Sequence, residues 1–312
     1  MLELIRNDAK IDFFKLRPYA FAFSGILIVA GLLLLVVRGG PNYGIDFTGG
    51  IMLHVSVDPA VPISQVRTAV DHVAPTGGGA SVQDFGTTPG EYLLRLAAAN
   101  PDTAADEAER FTQALTGELK DKKFEVLRTE VVGPRVGSEL RQKAILSVLL
   151  STLMMGLYIA FRFDLRFGAG AAIALLHDVM ITVGVLSLTN TEIDLTIVAA
   201  LLTVVGYSVN DTVIVSDRIR ENLSHPGRET LRETINRSIN ETLSRTILTS
   251  TTALLVCFSL FTFGGAVIHG FALTLIAGLV IGTYSSIFIA SPIVEMWKGG
   301  APVSASASRA KA

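Results

Sequence analysis

The chain has 312 residues, of which 50% are hydrophobic and only 17% charged, with a net charge of −2. That balance excludes an ordinary soluble domain of this length and places the chain among polytopic membrane proteins. The net charge by itself says nothing about nucleic acid or acidic substrates, and no nucleic-acid partner is expected. The single cysteine, Cys257, lies in an apolar run, which excludes a disulfide or zinc framework and reads as a small buried residue.

The N-terminal segment 1–18 is charged and polar, and no small-residue cleavage site follows it, so no cleavable signal is expected. Within it Leu2, Ile5, Ala9, Phe13 and Leu16 share one side of an amphipathic helix, expected along the membrane surface or against other helices. Six runs are long enough to span ~30 Å of hydrocarbon. They are Tyr19–Val37, Ala144–Phe161 (with a lead-in from 140), Phe167–Leu188, Leu195–Ser216, Thr246–Ile268 and Gly270–Val294. The first, second (from Ala144), fifth and sixth contain no Asp, Glu, Lys or Arg; the third carries His177 and Asp178, and the fourth carries Asp211.

Between the first two runs lies an expected external domain, residues 38–139. Ile51–Val57 alternates as a strand, and Ile63–Val73 has helical spacing through Val66, Ala69, Val70 and Val73. A Gly77–Gly79 turn leads to strands Ser81–Phe85 and Glu91–Leu96, joined by a turn at Thr88–Gly90. Asp102–Leu119 reads as a second helix with acids in its first turns, and Phe124–Val132 as a last strand. The order β-α-β-β-α-β is the ferredoxin-like split pattern. The fold class is therefore a six-helix α-helical membrane protein with one α+β domain between helices 1 and 2.

Residues 217–245 predict an amphipathic connection: a Pro226–Gly227 turn, then a helix with Leu231, Ile235, Ile239 and Leu243 four apart among charges, expected along the membrane surface or against the other helices. The tail 295–312 ends in low-complexity Ala/Ser with basic ends, expected to be disordered. Lys and Arg gather before the first run, between the second and third, between the fourth and fifth, and after the sixth. The loops Thr189–Asp194 and Gly264–His269 have none. The positive-inside rule then places both termini in the cytoplasm.

Asp211 draws most attention. It lies six residues before Asp217, ~9 Å inside the charged boundary of its helix, and an ionisable group there marks an ion or proton pathway. Tyr207 and Ser208 share its face and are placed to hydrogen-bond it; Asn210 adjoins it; Gly206 permits close approach of another helix. One reading is a structural carboxylate. The sharper one is a proton-binding group, neutral when buried and ionised when a cation approaches. Arg245, at the start of the fifth run, is the candidate cation; the alternative for it is a snorkelling arginine. Asp178, beside His177, reads first as glue between helices and second as part of a relay. Gly278 and Gly282 form G-x-x-x-G, and Gly168–Ala172 is similarly small, both weak signs of close packing. No protease, nucleotide-loop, dinucleotide or metal motif is present, so no cofactor, metal or enzyme activity is expected.

The run GYSVNDTVIVSDRIREN, Gly206–Asn222, resembles the fourth-helix signature of the SecF branch of the SecD/SecF protein-export family. GIDFTGG, Gly44–Gly50, is similar to the motif that opens that family's external domain, and INETLSRTILTSTTALL, Ile239–Leu255, to the start of its fifth helix. The resemblance covers nearly the whole chain apart from the tail. It implies a member of the resistance-nodulation-division superfamily in a bacterial or archaeal plasma membrane. Such a chain pairs with SecD and uses the proton-motive force to assist unfolded preproteins leaving SecYEG on the outer side. By position, the resemblance makes Asp211 the proton-pathway aspartate and Arg245 its basic partner, the other pathway acid lying on SecD. Asp46 and the glycines of GIDFTGG are expected to shape the junction with the external domain. Two alternatives stand beside it: an exporter of lipids or small molecules, which needs a second six-span half, and a scaffold, which leaves Asp211 without a role.

Overall fold

A computed structural model describes residues 11–57, 61–73, 80–85, 90–96, 104–118, 123–224 and 229–297. The expected turns at Gly77–Gly79 and Pro226–Gly227, most of the expected turn at Thr88–Gly90, most of the expected Leu2–Leu16 helix and the tail beyond 297 lie outside the described residues.

Six helices have the length and composition to cross a membrane. They are α1 (Phe13–Val37), α5 (Pro134–Arg162), α6 (Leu165–Leu188), α7 (Leu195–Ser224), α8 (Leu231–Phe263) and the pair α9 (Gly265–Ser285) and α10 (Ser291–Met296). The last two are joined without a break by a π-turn, Ser286–Ala290. The protein is a multi-pass membrane protein.

Several boundaries differ from those expected. Helix α1 starts at Phe13 rather than Tyr19, because Asp12 caps it by accepting from Lys15 N at 3.0 Å. Helix α5 starts at Pro134, directly after the last strand, because proline is favoured in a first turn; the domain therefore ends well before 139. The Gly264–His269 turn shrinks to Gly264, since Gly265 takes a φ of +71° that only glycine adopts freely, and α9 begins there.

The largest difference concerns residues 217–245. Residues 217–224 are the end of α7, and residues 231–245 are the start of α8. Helix α8 opens at a capping box in which Thr230 and Glu233 satisfy each other's backbone N–H. The stripe Ile235, Ile239, Leu243 is buried against Val215 and Ile219 of α7 and Phe13 and Phe14 of α1, so of its two expected settings it takes the one against other helices. A four-residue apolar spacing needs only some apolar partner, and here another helix supplies it. Asn236 and Asn240 pin the start of α1 alongside: Phe13 N donates to Asn236 Oδ1 at 2.9 Å, and Ile11 N to Asn240 Oδ1 at 3.0 Å.

The extramembrane domain contains α2 (Ile45–Thr48), β1 (Gly50–Val57), α3 (Ile63–Val73), β2 (Ser81–Asp84), β3 (Glu91–Leu96), α4 (Ala104–Glu118) and β4 (Phe124–Val132). The sheet runs β2-β3-β1-β4 with every neighbour antiparallel. Alternation sends Ile51, Leu53 and Val55 of β1 and Leu94 of β3 to one face. There they bury with Val66 and Val70 of α3 and Phe111 and Leu115 of α4. The other face carries Arg95, which becomes important below.

Inside the bundle, small residues let helices approach. A side chain at Gly278 of α9 would overlap Val204 of α7, and one at Gly282 would meet Ser208 at 3.0 Å. Gly168 of α6 lies against Ala160 and Gly156 of α5 in the same way. Adding one methyl by Gly278→Ala will push α7 from α9 and cost about 1–3 kcal/mol. Unfolding of the purified protein in mixed micelles measures this; unchanged stability would place the α7–α9 contact elsewhere.

Candidate functional site

Two acids are buried in the bundle, and their surroundings are opposite. Asp178 of α6 and Asp211 of α7 are each 1% exposed. Asp178 is saturated. Its Oδ2 accepts from Ser208 Oγ of α7 at 2.6 Å and from Ser285 Oγ of α9 at 2.8 Å, and its Oδ1 lies 2.9 Å from His177 Nδ1. The hydrogen inventory fixes the rest of this network. Tyr284 donates to Ala20 O at 2.7 Å, so Ser24 Oγ, 3.0 Å away, must donate to Tyr284. His177 Nε2 then donates to Ser24 at 2.9 Å, leaving one proton between His177 Nδ1 and Asp178 Oδ1. His177 and Asp178 face different neighbours, as their 100° offset requires. Together they tie α1, α6, α7 and α9 into one unit.

Asp211 has almost nothing. Its Oδ1 is buried without a partner, and its Oδ2 receives only a long 3.3 Å bond from Ser250 Oγ of α8. Ser250 is also 2.7 Å from Thr283 Oγ1 of α9, and Thr283 donates to Leu279 O at 2.8 Å. Ser250 has one proton for two neighbours. Turned toward Asp211 it serves an ionised acid; turned toward Thr283 it leaves a lone pair to accept from a protonated one. A rotation of two hydroxyls thus accommodates either state of Asp211, and the neutral acid avoids a buried charge without donors.

The expected partners of Asp211 are engaged elsewhere. Tyr207 donates to Thr249 O of α8 at 2.9 Å, and Ser208 is taken by Asp178. The reason is geometric: α6 and α9 crowd the Ser208 side, and Tyr207 reaches across to α8 before it can fold back on its own helix. Ser250, Thr283, Ser285, Ser24 and Tyr284 were not identifiable as site residues from the sequence; their only signal is a concentration of hydroxyls in otherwise apolar spans.

A charged collar closes the end of the bundle away from the domain. Arg218 pairs with Glu241 at 2.6 Å and Glu221 at 2.7 Å, and Arg237 with Glu229 at 3.0 Å and Glu241 at 3.3 Å. Asp211 lies seven residues before Arg218, ~10 Å deeper. Arg245 lies one helical turn beyond Glu241 in the same direction. Its charge acts on Asp211, yet no described ion pair or hydrogen bond holds its guanidinium, and the side chain is exposed. On the side of α7 that faces α6, the π-turn and α10, a narrow cavity is lined half by hydroxyls, Thr212, Ser216, Ser286 and Ser291, and half by apolar side chains.

Asn210 points out of the bundle. It forms, with Thr203 and Gly206, an exposed stripe along α7, and a side chain at Gly206 would meet nothing within 4 Å. A carboxamide facing hydrocarbon is unfavourable, so this stripe is suited to cover by another helix. Cys257 is buried and unpaired. Among the described residues no three His, Cys, Asp or Glu side chains converge as a metal site.

Comparison with known proteins agrees along the chain. The family described as protein export membrane protein SecD/SecF, C-terminal, matches residues 112–300, and the SecD/SecF GG motif matches residues 34–61. The protein translocase subunit SecF of Calditerrivibrio nitroreducens is 44% identical over 300 residues, covering 95% of this chain and 97% of that one. That of Escherichia coli O157:H7 is 39% identical over 293 residues, covering 94% and 90%. The crystal structure of SecDF, a translocon-associated membrane protein from Thermus thermophilus, superposes with a TM-score of 0.82 at 38% identity over 95% of this chain. The present chain spans 40% of that longer one. On this evidence the chain belongs to the SecD/SecF family of protein-export membrane proteins, as a SecF-type member.

Proposed function

We propose that this chain is a protein translocase subunit that works with a SecD partner, drawing on the proton-motive force to assist preproteins through SecYEG. The observation that carries the reading is Asp211: a buried acid lacking the donors an ion needs, beside hydroxyls that suit either protonation state. A charge crossing the membrane is worth about 2.3 kcal/mol per 100 mV, so a single proton site can supply useful work. Arg245 acts as the fixed counter-charge. When the helices bring it toward Asp211 the proton leaves; when it withdraws the acid is neutral again. Asp178 keeps its partners throughout, Ser208 of α7 among them, so α6 and α9 move with α7 relative to α8. Tyr207 tethers α7 to α8, and Ser208 links it to Asp178.

In this reading both termini lie in the cytoplasm, since Arg162, Arg166, Arg218, Arg220, Arg237 and Arg245 collect at the collar end. The domain then faces outward, where it holds or releases emerging polypeptide. The chain makes and breaks no covalent bond and needs no cofactor. SecD covers the Thr203–Gly206–Asn210 stripe, bringing its helix within reach of α7.

Two measurements test this. In vesicles holding the assembled complex, Asp211→Asn will lower the gradient-stimulated part of export roughly tenfold or more, a barrier change of at least ~1.4 kcal/mol. Arg245→Met will lower it in the same direction; full stimulation in Asp211→Asn would end the motor reading. Second, Gly206→Cys and Asn210→Cys will cross-link to cysteines in a SecD membrane helix, while buried Val204→Cys will not. Cross-linking confined instead to the apolar face of α5, for example at Leu153→Cys, would move the interface away from α7.

A further inference from the structure

The extramembrane domain is attached to the bundle at more than its two chain ends. The segment Asn42–Gly50 leaves α1 and runs along the α6–α7 turn before entering β1. Two backbone bonds stitch it there: Ile193 N donates to Asn42 O at 2.7 Å, and Gly44 N to Ile193 O at 2.8 Å. Asn42 Nδ2 adds a bond to Asn190 O at 3.1 Å, and Arg38 reaches Ser187 O and Asn190 Oδ1. Phe47, 2% exposed, is buried among Leu186, Ile193, Ile197 and Leu201 of α6, α7 and their turn.

Polar contacts reinforce this at the start of α7. Asp194 caps the helix, accepting from Ile197 N at 2.8 Å, and Asp46 accepts from Leu195 N at 3.0 Å, so two first-turn N–H groups are satisfied, one of them by the domain's own segment. From the helix-free face of the sheet, Arg95 of β3 forms an ion pair with Glu192 in the α6–α7 turn. Burial pushes the Asp194 carboxyl above its ordinary range, opposed by the Ile197 N–H and helped by the charge of Asp46.

The glycines make room for these contacts. A side chain at Gly44 would run into Glu192 at 2.7 Å, and one at Gly50, where φ is +141°, would come within 2.6 Å of Leu96 O. A side chain at Gly137, in the first turn of α5, would lie 2.9 Å from Gly49 N. Segment, α5, sheet and α6–α7 turn therefore meet without slack at one place.

We propose that Asn42–Gly50 is the mechanical link through which displacement of α7 moves the extramembrane domain, with Asp46, Arg95 and Glu192 as its positioning residues. The proposal rests on reading Asp211 as the site that displaces α7. Helix α7 carries Asp211 in its middle and the link at its far end. A helix is stiff along its axis, so a shift at the first must appear at the second. A domain held only by α1 and α5 would receive such a shift indirectly; this one is bonded to the first residue of α7.

The test uses the full chain assembled with SecD in vesicles. Glu192→Arg sets two cations against each other and will lower gradient-driven export roughly tenfold, whereas exchanging the charges with Arg95→Glu and Glu192→Arg together will restore it to within about twofold. Asp46→Ala will impair export, and Asp46→Asn, which keeps an acceptor for Leu195 N, will not. Hydrogen exchange supplies the independent readout. Asp211→Asn will alter protection in β1 and β3 of the otherwise native chain, and will not do so in the presence of Glu192→Arg. Wild-type export by Glu192→Arg, or an exchanged pair that assembles without recovering export, overturns the link. Normal export by Asp211→Asn beside a defect in Glu192→Arg overturns the proton reading instead and leaves the link standing.

Discussion

A buried acid with one long hydrogen bond is the constraint on which the rest of this structure turns. Asp211 is 1% exposed, one of its oxygens has no partner, and the other has a single long contact. A carboxylate there lacks what the interior must supply in place of water, whereas the neutral acid fits the existing hydroxyls. The nearby Asp178 is the contrast that makes the point. It has the same chemistry and the same burial, yet two serines and a histidine fix it in place. One acid is built to stay as it is, and the other to change.

Helix continuity extends the reach of that change. Helix α7 runs unbroken from Leu195 to Ser224, so the link at its first residue, Asp211 in its middle and Arg218 in the collar all lie on one rigid element. Helix α8 likewise joins Glu241, Arg245 and Ser250 on consecutive turns. The collar pairs Arg218 with Glu241 across the two helices, and among the described residues no ion pair holds Arg245, one turn deeper. Ion pairs in water contribute little to stability, but the Arg218–Glu241 pair joins α7 to α8 one turn outside Arg245.

Close packing without large side chains lets such helices move as units. Gly278 against Val204, Gly282 against Ser208 and Gly168 against Ala160 bring backbones together where no hydrophobic force drives association. The same device recurs outside the bundle, where Gly44, Gly50 and Gly137 admit Glu192, the end of β3 and the Gly44–Gly50 segment. Glycine thus serves two ends of one mechanical path, first by seating α7 on α9 and then by seating the domain on α7.

Much of this was legible in the sequence because it rests on local physics. Hydropathy revealed six spans, since crossing a membrane demands an apolar run of fixed length. Alternation and helical spacing located the elements from Gly50 to Val132 nearly to the residue. Asp211 stood out because a carboxylate in an apolar run is costly whatever surrounds it. What the sequence left open was who meets whom. It assigned Tyr207 and Ser208 to Asp211 because they share a helical face, but helical spacing cannot tell a bond within one helix from a bond to the next. Only packing sent Ser208 to Asp178, Tyr207 to Thr249, and Ser250 to Asp211 from 39 positions away. Arg95 and Glu192 lie in a strand and a loop with nothing in their neighbourhoods to announce a pair, and the attachment of the domain to α7 exists only once the chain has folded. Span, strand and isolated charge follow from neighbours in the chain; partners follow from neighbours in space.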